Sequence, residues 1–345
     1  MLEVDGGERS GSGTILRLSV AYSAILQEDL HIFNIREKRS SPGLRPQHRE
    51  AVLTAARICD AQVEGAHVGS KELWFRPGRS RGGHFDAEIG TAGSIPMLLL
   101  TVIPMCLHSE RDVDIRVSKG GTDVSNAPTI NYLKYVLLPS VGKMGVSAGL
   151  EVDAYGYYPV GLGAARVSVE PCKALKPFCL LEQGKVQRIR GASVCTFLRE
   201  RKVAERQAEA AKKHLMRLGH KTDIQILYDT SNPSQRGSSL VLWSETSSGA
   251  VLGSDAIGEL RKTSEKVGLE AAEKLVAEIA GKASVDVHLA DMLVPYIALA
   301  KEESAYTVRA VTEHIETNVW LTNKLLGTDI KIEESGNLHV VRKAW

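Results

Sequence analysis

A chain of 345 residues, of which 43% are hydrophobic, can bury a large core, and its length allows about two domains. The net charge of +2 excludes a protein that is basic over its whole surface, so any polyanion site must be local. Five cysteines without C-x-x-C spacing argue against a disulfide scaffold or zinc site and favour a reducing compartment. The polar, Gly-rich N-terminus and the lack of an apolar run of ~18 residues predict a cytoplasmic protein without a membrane helix.

The apolar patterns of the first half of the chain predict a unit of the order βαβαββ that occurs twice. In the first copy we expect strands and helices in the order 2–4, 15–26, 31–35, 47–59, near 62, and 72–75. In the second copy we expect them at 84–89, 92–107, 112–117, 128–142, 149–154 and 164–169. Repetition of one order predicts a supersecondary unit that is reused around a shared core.

A third copy is expected at the end of the chain, with helices near 269–280 and 288–300, a strand at Tyr306, a helix that carries His314, and strands at 329–333 and 337–341. Before it, a charged helix at 203–218 and neighbouring strands break the order, which predicts a small inserted α/β domain. We therefore expect a mixed α/β (α+β) fold. Its large domain of three βαβαββ repeats comprises residues 1–184 and 261–345, and its insert comprises 185–260.

His314 is the first candidate for chemistry, because it lies on the first turn of a predicted helix whose N-cap is Thr312. Free backbone N–H groups at such a helix end attract phosphate, and the helix dipole favours a neutral imidazole that can act as a nucleophile. A histidine presented to an anion is one interpretation. A surface histidine on an exposed turn fits the same pattern.

Two loops suggest phosphate binding. Residues 34–48 (NIREKRSSPGLRPQH) carry several cations around Pro42 and Gly43, and guanidinium groups on a fixed loop suit phosphate oxygens. The usual alternative is a solvated charged face. The Gly-rich loop GGERSGSG matches neither G-x-G-x-x-G nor the P-loop, so it is also consistent with a plain turn between strand and helix.

Several segments in a single order resemble the RNA 3'-terminal phosphate cyclase family. The family's D-G-x-x-x-x-G-x-G-x-I-L-R is matched by residues 5–17, and its I-R-x-x-R-x-x-P-G-L-x-x-Q-H by residues 35–48. Further matches are R-G-G at 81–83, G-T-A-G-S at 90–94, G-G-T-D-x-x-x-A-P at 120–128, H-L-A-D-M-L at 288–293 and H-x-x-T-N at 314–318. The resemblance implies three repeats of the kind found in enolpyruvyl transferases, with a small inserted domain.

The resemblance also implies a ligase-type reaction. His314 would attack the α-phosphate of ATP and carry AMP, which passes to an RNA 3'-phosphate before a 2',3'-cyclic phosphate closes. The implied nucleotide-binding segment consists of His288, Leu289, Ala290, Asp291 and Met292. The implied groups for phosphate and RNA are Arg17, Arg36, Arg39 and His48. A divalent metal, magnesium or manganese, is implied by the pyrophosphate leaving group, with no ligand residue assigned.

The chain departs from the family pattern at polar positions. A metal-linked Glu of the family aligns with Ser10, and three glutamines align with Thr14, Leu100 and Met292. Glu8 is a candidate substitute for the missing carboxylate. These losses predict weaker nucleotide and metal binding, at about 0.5 to 1.5 kcal/mol for each hydrogen bond.

Two other function classes remain open. One is a non-catalytic cyclase-like protein that binds RNA in ribosome biogenesis or RNA processing; that branch lacks the nucleophilic histidine, whereas this chain has His314. The other is an enolpyruvyl transferase, which shares the repeat unit but none of the motifs above. The role of the insert is also open between a nucleic-acid contact and a structural elaboration.

Overall fold

The computed structural model describes residues 1–344, whose elements form three similar units and one inserted unit. The first unit contains β1 (Leu2–Asp5), α1 (Gly13–Leu26), β2 (Leu30–Phe33), α2 (Pro46–Cys59), β3 (Gln62–Glu64) and β4 (Leu73–Arg76). Its sheet has the order β1-β2-β4-β3, in which β2 is parallel to β1 and antiparallel to β4. Two parallel strands with a crossover helix are therefore followed by an antiparallel pair.

The second unit repeats this arrangement. It contains β5 (Gly83–Glu88), α3 (Ile95–Cys106), β6 (Val113–Gly120), α4 (Ile130–Tyr132), a π-helical stretch (Leu133–Leu137), α5 (Leu138–Gly142), β7 (Ala148–Ala154) and β8 (Gly163–Val169). The sheet order β5-β6-β8-β7 has the same pattern of one parallel and two antiparallel pairs as the first sheet.

The inserted unit follows a two-residue strand, β9 (Cys179–Leu180). Its elements are β10 (Val186–Thr196), a short 3-10 turn (Arg199–Arg201), α6 (Val203–Arg217), β11 (Thr222–Asp229), β12 (Gly237–Thr246), β13 (Val251–Ile257) and α7 (Ser264–Gly281). The four strands form a sheet of their own in the order β11-β10-β12-β13, and no strand of the three repeats joins it.

The third repeat resumes after the insert with α8 (Val287–Leu299), β14 (Ser304–Val308), α9 (Glu313–Leu326), β15 (Ile330–Ser335) and β16 (Leu338–Lys343). Its sheet has the order β9-β14-β16-β15, with β14 parallel to β9 and antiparallel to β16. All three sheets thus share one strand order, which confirms the predicted three βαβαββ repeats. The first strand of the third repeat, β9, was missed because it is only two residues long.

The predicted end of the insert, residue 260, lies before α7, but α7 packs against the elements of the insert. This helix packs on α6, β12 and β13, and a Cβ at Gly268 would lie 2.1 Å from the carbonyl oxygen of Gln207 on α6. The helix expected near 269–280 therefore packs within the inserted unit rather than within the third repeat. We propose that the inserted unit extends from Val186 to Gly281.

The helices of the three repeats share one core. α1 packs against α3 and α9, and α8 packs against α9. Within this core the hydroxyl groups of Tyr22 on α1 and Thr322 on α9 are 2.7 Å apart. Among residues 1–344, no helix is both long and apolar enough to span a membrane. The shared helical layer brings the N-termini of α8 and α9 close to α1, where the candidate site lies.

Candidate active site

A cavity of about 370 Å³ opens where the helices of the repeats meet the inserted unit. α8 and α9 contribute side chains to one part of its wall, α1 and α3 to another, and the inserted unit to a third. The residues that line it include Thr14, Arg17, Met97, Leu100, Pro128, Tyr132, Asp255, Lys274, His288, Asp291, Met292, Pro295, Tyr296, His314 and Asn318. Of the ten predicted site residues, Arg17, His288, Asp291, Met292 and His314 are in this wall.

His314 lies at the N-terminus of α9, as its position in the sequence predicts. The side chain of Thr312 accepts a hydrogen bond from the backbone N–H of Ile315 at 3.3 Å, which caps the helix. Burial is the main cause that lowers the pKa of His314 below 6.5, and the nearby charges of Arg17 and Arg39 lower it further. His314 is therefore a neutral imidazole beside a helix end, which is the form that a nucleophile requires.

Asp286 fixes the start of α8, where His288 and Asp291 lie. Its buried carboxylate accepts hydrogen bonds from the Tyr132 hydroxyl at 2.6 Å and from the backbone N–H groups of Gly253 at 2.8 Å and of His288 and Leu289 at 3.0 Å. These donors come from the second repeat, the inserted unit and α8 itself. One carboxylate thus holds three parts of the fold together at the edge of the cavity.

The predicted nucleotide-binding segment is only partly in contact with the cavity. Leu289 and Ala290 are each 1% exposed, and their side chains pack in the core instead of lining the cavity. A helix turns these two positions away from the face that carries His288, Asp291 and Met292, and nucleotide binding by Leu289 and Ala290 stays a prediction. Their contribution is to hold α8 against the core.

Arg17 and His48 form a pair beside Gly13. A Cβ at Gly13 would lie 2.3 Å from His48 Nε2 and 2.9 Å from an Arg17 terminal nitrogen, so only glycine leaves room for both side chains. His48 Nδ1 accepts a hydrogen bond from the backbone N–H of Arg45 at 3.3 Å, which leaves Nε2 as the protonated nitrogen. Burial, together with Arg17, Arg36 and Arg45, lowers the pKa of His48 to about 2.

The arginine loop supplies a local concentration of positive charge. Arg36 donates hydrogen bonds to the carbonyl oxygens of Ser41 and Gly43 at 2.7 and 2.8 Å, so this guanidinium also fixes its own loop. Burial first, and then Arg45 and Arg39, lower the pKa of Arg36. Burial also lowers the pKa of Arg17 to about 10. In the part of the chain that the structure describes, none of these arginines forms an ion pair, so their charges are available to an anion.

Arg36, Arg39 and His48 stand next to the cavity rather than in its wall. Arg36 lowers the pKa of Arg17 and Arg39 lowers the pKa of His314, so both arginines act electrostatically on residues of the wall. Arg45 belongs to the same group and was not among the predicted residues. Its signal was present in the sequence, because it lies in the same cationic loop as Arg36 and Arg39.

The positions that depart from the family pattern have different surroundings. Thr14, Leu100 and Met292 all line the cavity, so the lost amides are replaced there mainly by apolar surface. Ser10 is buried outside the wall and donates its hydroxyl to Ser12 at 3.0 Å. Glu8, the expected substitute for the missing carboxylate, is 3.7 Å from Lys324 and does not line the cavity. Glu8 therefore does not take the place of that carboxylate in the cavity wall, and its role as a metal ligand stays a prediction.

Sequence reasoning missed the contribution of the inserted unit. Asp255 on β13 and Lys274 on α7 both line the cavity. No local motif marks them, because their position depends on how the insert docks against the repeats. Asn318 donates to the carbonyl oxygen of Asp291 at 2.9 Å and so links α9 to α8, while its own Oδ1 has no partner among residues 1–344.

Comparison with known proteins decides the family. The model of a family described as RNA 3'-terminal phosphate cyclase matches residues 8–332. The chain belongs to the RNA 3'-terminal phosphate cyclase family. Among curated relatives of that name, the one from Pyrobaculum neutrophilum is 40% identical over 342 residues, which cover 99% of this chain and 97% of the relative. The relative from Methanosarcina barkeri is 40% identical over 341 residues, with 99% of both chains covered.

A third cyclase relative, from Pyrococcus furiosus, is 38% identical over 349 residues and is covered completely, as is this chain. These matches confirm the predicted family and an enzyme of the cyclase type. Among solved structures, the enolpyruvyl transferase NikO from Streptomyces tendae is 12% identical, with a TM-score of 0.26 and coverage of 99% of this chain and 65% of its own. That likeness is too slight to support any argument, and the repeat architecture rests on the strand orders above.

Proposed function

We propose that this cyclase-family enzyme converts an RNA 3'-terminal phosphate to a 2',3'-cyclic phosphate, with ATP as the second substrate and a covalent bond between His314 and AMP. One observation carries the proposal. A neutral histidine at the N-terminus of α9 lines the same cavity as Arg17, beside arginines that form no ion pair among residues 1–344. A nucleophile and an anion site are thereby combined.

In the first step, the unprotonated ring nitrogen of His314 attacks the α-phosphorus of ATP. A P–N bond forms, the bond between the α-phosphorus and the bridging oxygen breaks, and pyrophosphate leaves with the negative charge. Arg17 and Arg36 neutralise charge that develops on the phosphate oxygens, and the neutral His48 donates a hydrogen bond from Nε2. The backbone N–H groups at the start of α9 assist them.

In the second step, a 3'-phosphate oxygen of the RNA attacks the histidine-bound phosphorus, and His314 leaves as the P–N bond breaks. The 2'-hydroxyl then attacks the 3'-phosphorus, loses its proton and expels AMP. Each step has a good leaving group, which is the advantage of covalent catalysis. The exposed Arg39 and Arg45 are suited to the RNA phosphate, because their side chains are open to solvent beside the cavity, whereas Arg36 is half-buried.

The proposal includes magnesium or manganese as a companion of the triphosphate. Among residues 1–344, no group of three His, Cys, Asp or Glu side chains is arranged to hold a metal ion by itself. Magnesium is commonly bound by one or two carboxylates together with substrate phosphates and waters, and Asp291 in the cavity wall fits that role. When bound, the ion would neutralise part of the charge on pyrophosphate.

Covalent labelling tests the proposal. Incubation with α-labelled ATP and magnesium or manganese should leave label on the protein in a bond that is labile to acid and stable to alkali, as a phosphoramidate is. His314→Ala should abolish this label. His288→Ala is a matched control, because His288 occupies the equivalent turn of α8 and lines the same cavity. It should weaken nucleotide binding and leave the attachment site intact.

Two results would overturn the proposal. If the wild-type protein takes up no label with either metal at millimolar ATP and still binds RNA ends, the non-catalytic alternative is correct. If label is lost in His288→Ala and fully retained in His314→Ala, the nucleophile has been assigned to the wrong histidine.

A further inference from the structure

The inserted unit contributes polar side chains to the cavity that the cyclase reaction, as proposed, leaves without a role. Asp255 from β13 and Lys274 from α7 belong to the wall that also contains His314 and Asp291. The same wall also has an apolar part, with Met97, Leu100, Pro128, Tyr132 and Pro295. An apolar cavity with few fixed polar groups is the usual form of a site for a flat heterocycle.

Asp255 is held in place from two sides. Its Oδ2 accepts a hydrogen bond from the backbone N–H of Thr129 at 2.7 Å, at the start of α4. Its carbonyl oxygen accepts a hydrogen bond from Lys274 Nζ at 3.0 Å. Within residues 1–344, its second carboxylate oxygen has no hydrogen-bond donor. The chain therefore presents a fixed acceptor with a free oxygen in the wall of a cavity that also has apolar surface.

We propose that Asp255 recognises the base of the bound nucleotide by accepting a hydrogen bond from the 6-amino group of adenine. This inference rests on the proposed use of a nucleoside triphosphate by the same cavity. A carboxylate can only accept, so it favours a purine with a donor at position 6 and disfavours one with a carbonyl oxygen there. The inserted unit thereby sets which nucleotide enters the cavity, a role that its fold alone does not indicate.

Asp255→Asn is the sharpest substitution for this idea, because it changes only the hydrogen-bonding character of one group. The amide oxygen can retain the bond from the Thr129 N–H, which leaves the amide nitrogen facing the base. That nitrogen donates, so it opposes the 6-amino group of adenine and pairs with the 6-oxo group of hypoxanthine. The variant should therefore shift the preference and not merely weaken binding.

The experiment compares ATP with ITP in the wild-type protein and in Asp255→Asn. Two quantities are measured for each nucleotide: the rate of protein labelling divided by the nucleotide concentration, and the binding affinity by calorimetry. The wild-type protein should prefer ATP by about tenfold to a hundredfold, the range of a hydrogen bond to a charged group. In the variant the ratio of ATP to ITP should fall at least about tenfold. Asp223→Asn, the same change at an exposed position of the inserted sheet, should leave the ratio unchanged.

Calorimetry separates failure of this inference from failure of the proposed function. If ATP binds better than ITP and the preference depends on Asp255 but no label forms, base recognition holds and the covalent step does not. If label forms equally from ATP and ITP, or if the ratio is the same in Asp255→Asn as in the wild-type protein, base recognition by Asp255 is overturned. A wild-type preference for ITP would also overturn it.

Discussion

Replacing His48 with Gln should remove a source of acid sensitivity from the folded chain. The imidazole is 5% exposed, and its Nδ1 accepts a hydrogen bond from the backbone N–H of Arg45. Burial is the largest cause of its lowered pKa, followed by the charges of Arg17, Arg36 and Arg45. The ring therefore stays neutral in the folded state at pH values where a histidine in an unfolded chain is protonated.

The size of the effect follows from the two pKa values of His48, about 2 in the folded chain and 6.5 as the ordinary value. A depressed folded pKa means that the unfolded chain binds more protons below pH 6.5, so stability falls as the pH falls. At about 1.4 kcal/mol per pH unit below the unfolded pKa, the loss between about pH 7 and pH 5 is about 2 kcal/mol. His48→Gln should lack this loss.

Urea denaturation of both proteins at the two pH values measures the effect. The change of wild-type stability with pH is not sufficient by itself. The pKa values of Asp123 and Asp291 are raised to about 7, so these carboxyls add stability as the pH falls, opposite to His48. The difference between wild type and His48→Gln isolates His48. His67→Gln, at an exposed ring, should behave as the wild type does. If His48→Gln loses as much stability on acidification as the wild-type protein, the neutral buried imidazole is refuted.

Three further outcomes are expected. Gly13→Ala should slow histidine labelling at least about tenfold, because its Cβ would lie 2.3 Å from His48 and 2.9 Å from Arg17, while thermal unfolding should show a largely intact fold. The labelling rate should stay nearly constant from about pH 8 to pH 6 because the pKa of His314 is lowered; a fall by about fourfold would indicate an ordinary histidine. Asp286→Ala should lower the free energy of unfolding by about 3 to 6 kcal/mol, because a helix cap and two further buried donors lose their acceptor. Urea denaturation measures this loss, and a value below about 1 kcal/mol would contradict the expectation.

The sequence predicted the repeat architecture because each βαβαββ unit carries clear apolar periods. α1 and α2, for example, begin within two residues of the expected positions. The two missed strands lacked such a signal. β9 is two residues long, and β10 begins with residues 186–188, which are partly or fully exposed, before its buried part. The sequence also did not show that α7 packs with the inserted unit, because this packing depends on the close approach of Gly268 to α6.

The site divides in a similar way. His314, His288 and Arg17 lie within contiguous motifs, so sequence comparison with a family locates them directly. Leu289 and Ala290 show the limit of that approach, because a motif does not say which of its positions face the cavity and which face the core. Asp255 and Lys274 belong to no motif of this kind, and only the docking of the inserted unit brings them to the cavity.

A chase of the isolated adduct tests whether His314 carries AMP as a competent intermediate. Protein labelled with α-labelled ATP should be separated from free nucleotide and then mixed with RNA that ends in a 3'-phosphate, with no further ATP. Labelled AMP should be released in step with formation of the 2',3'-cyclic end, and the label should map to the α9 peptide that contains His314. An adduct that stays on the protein while RNA ends cyclise only after fresh ATP is added would show that the adduct is not an intermediate of the reaction.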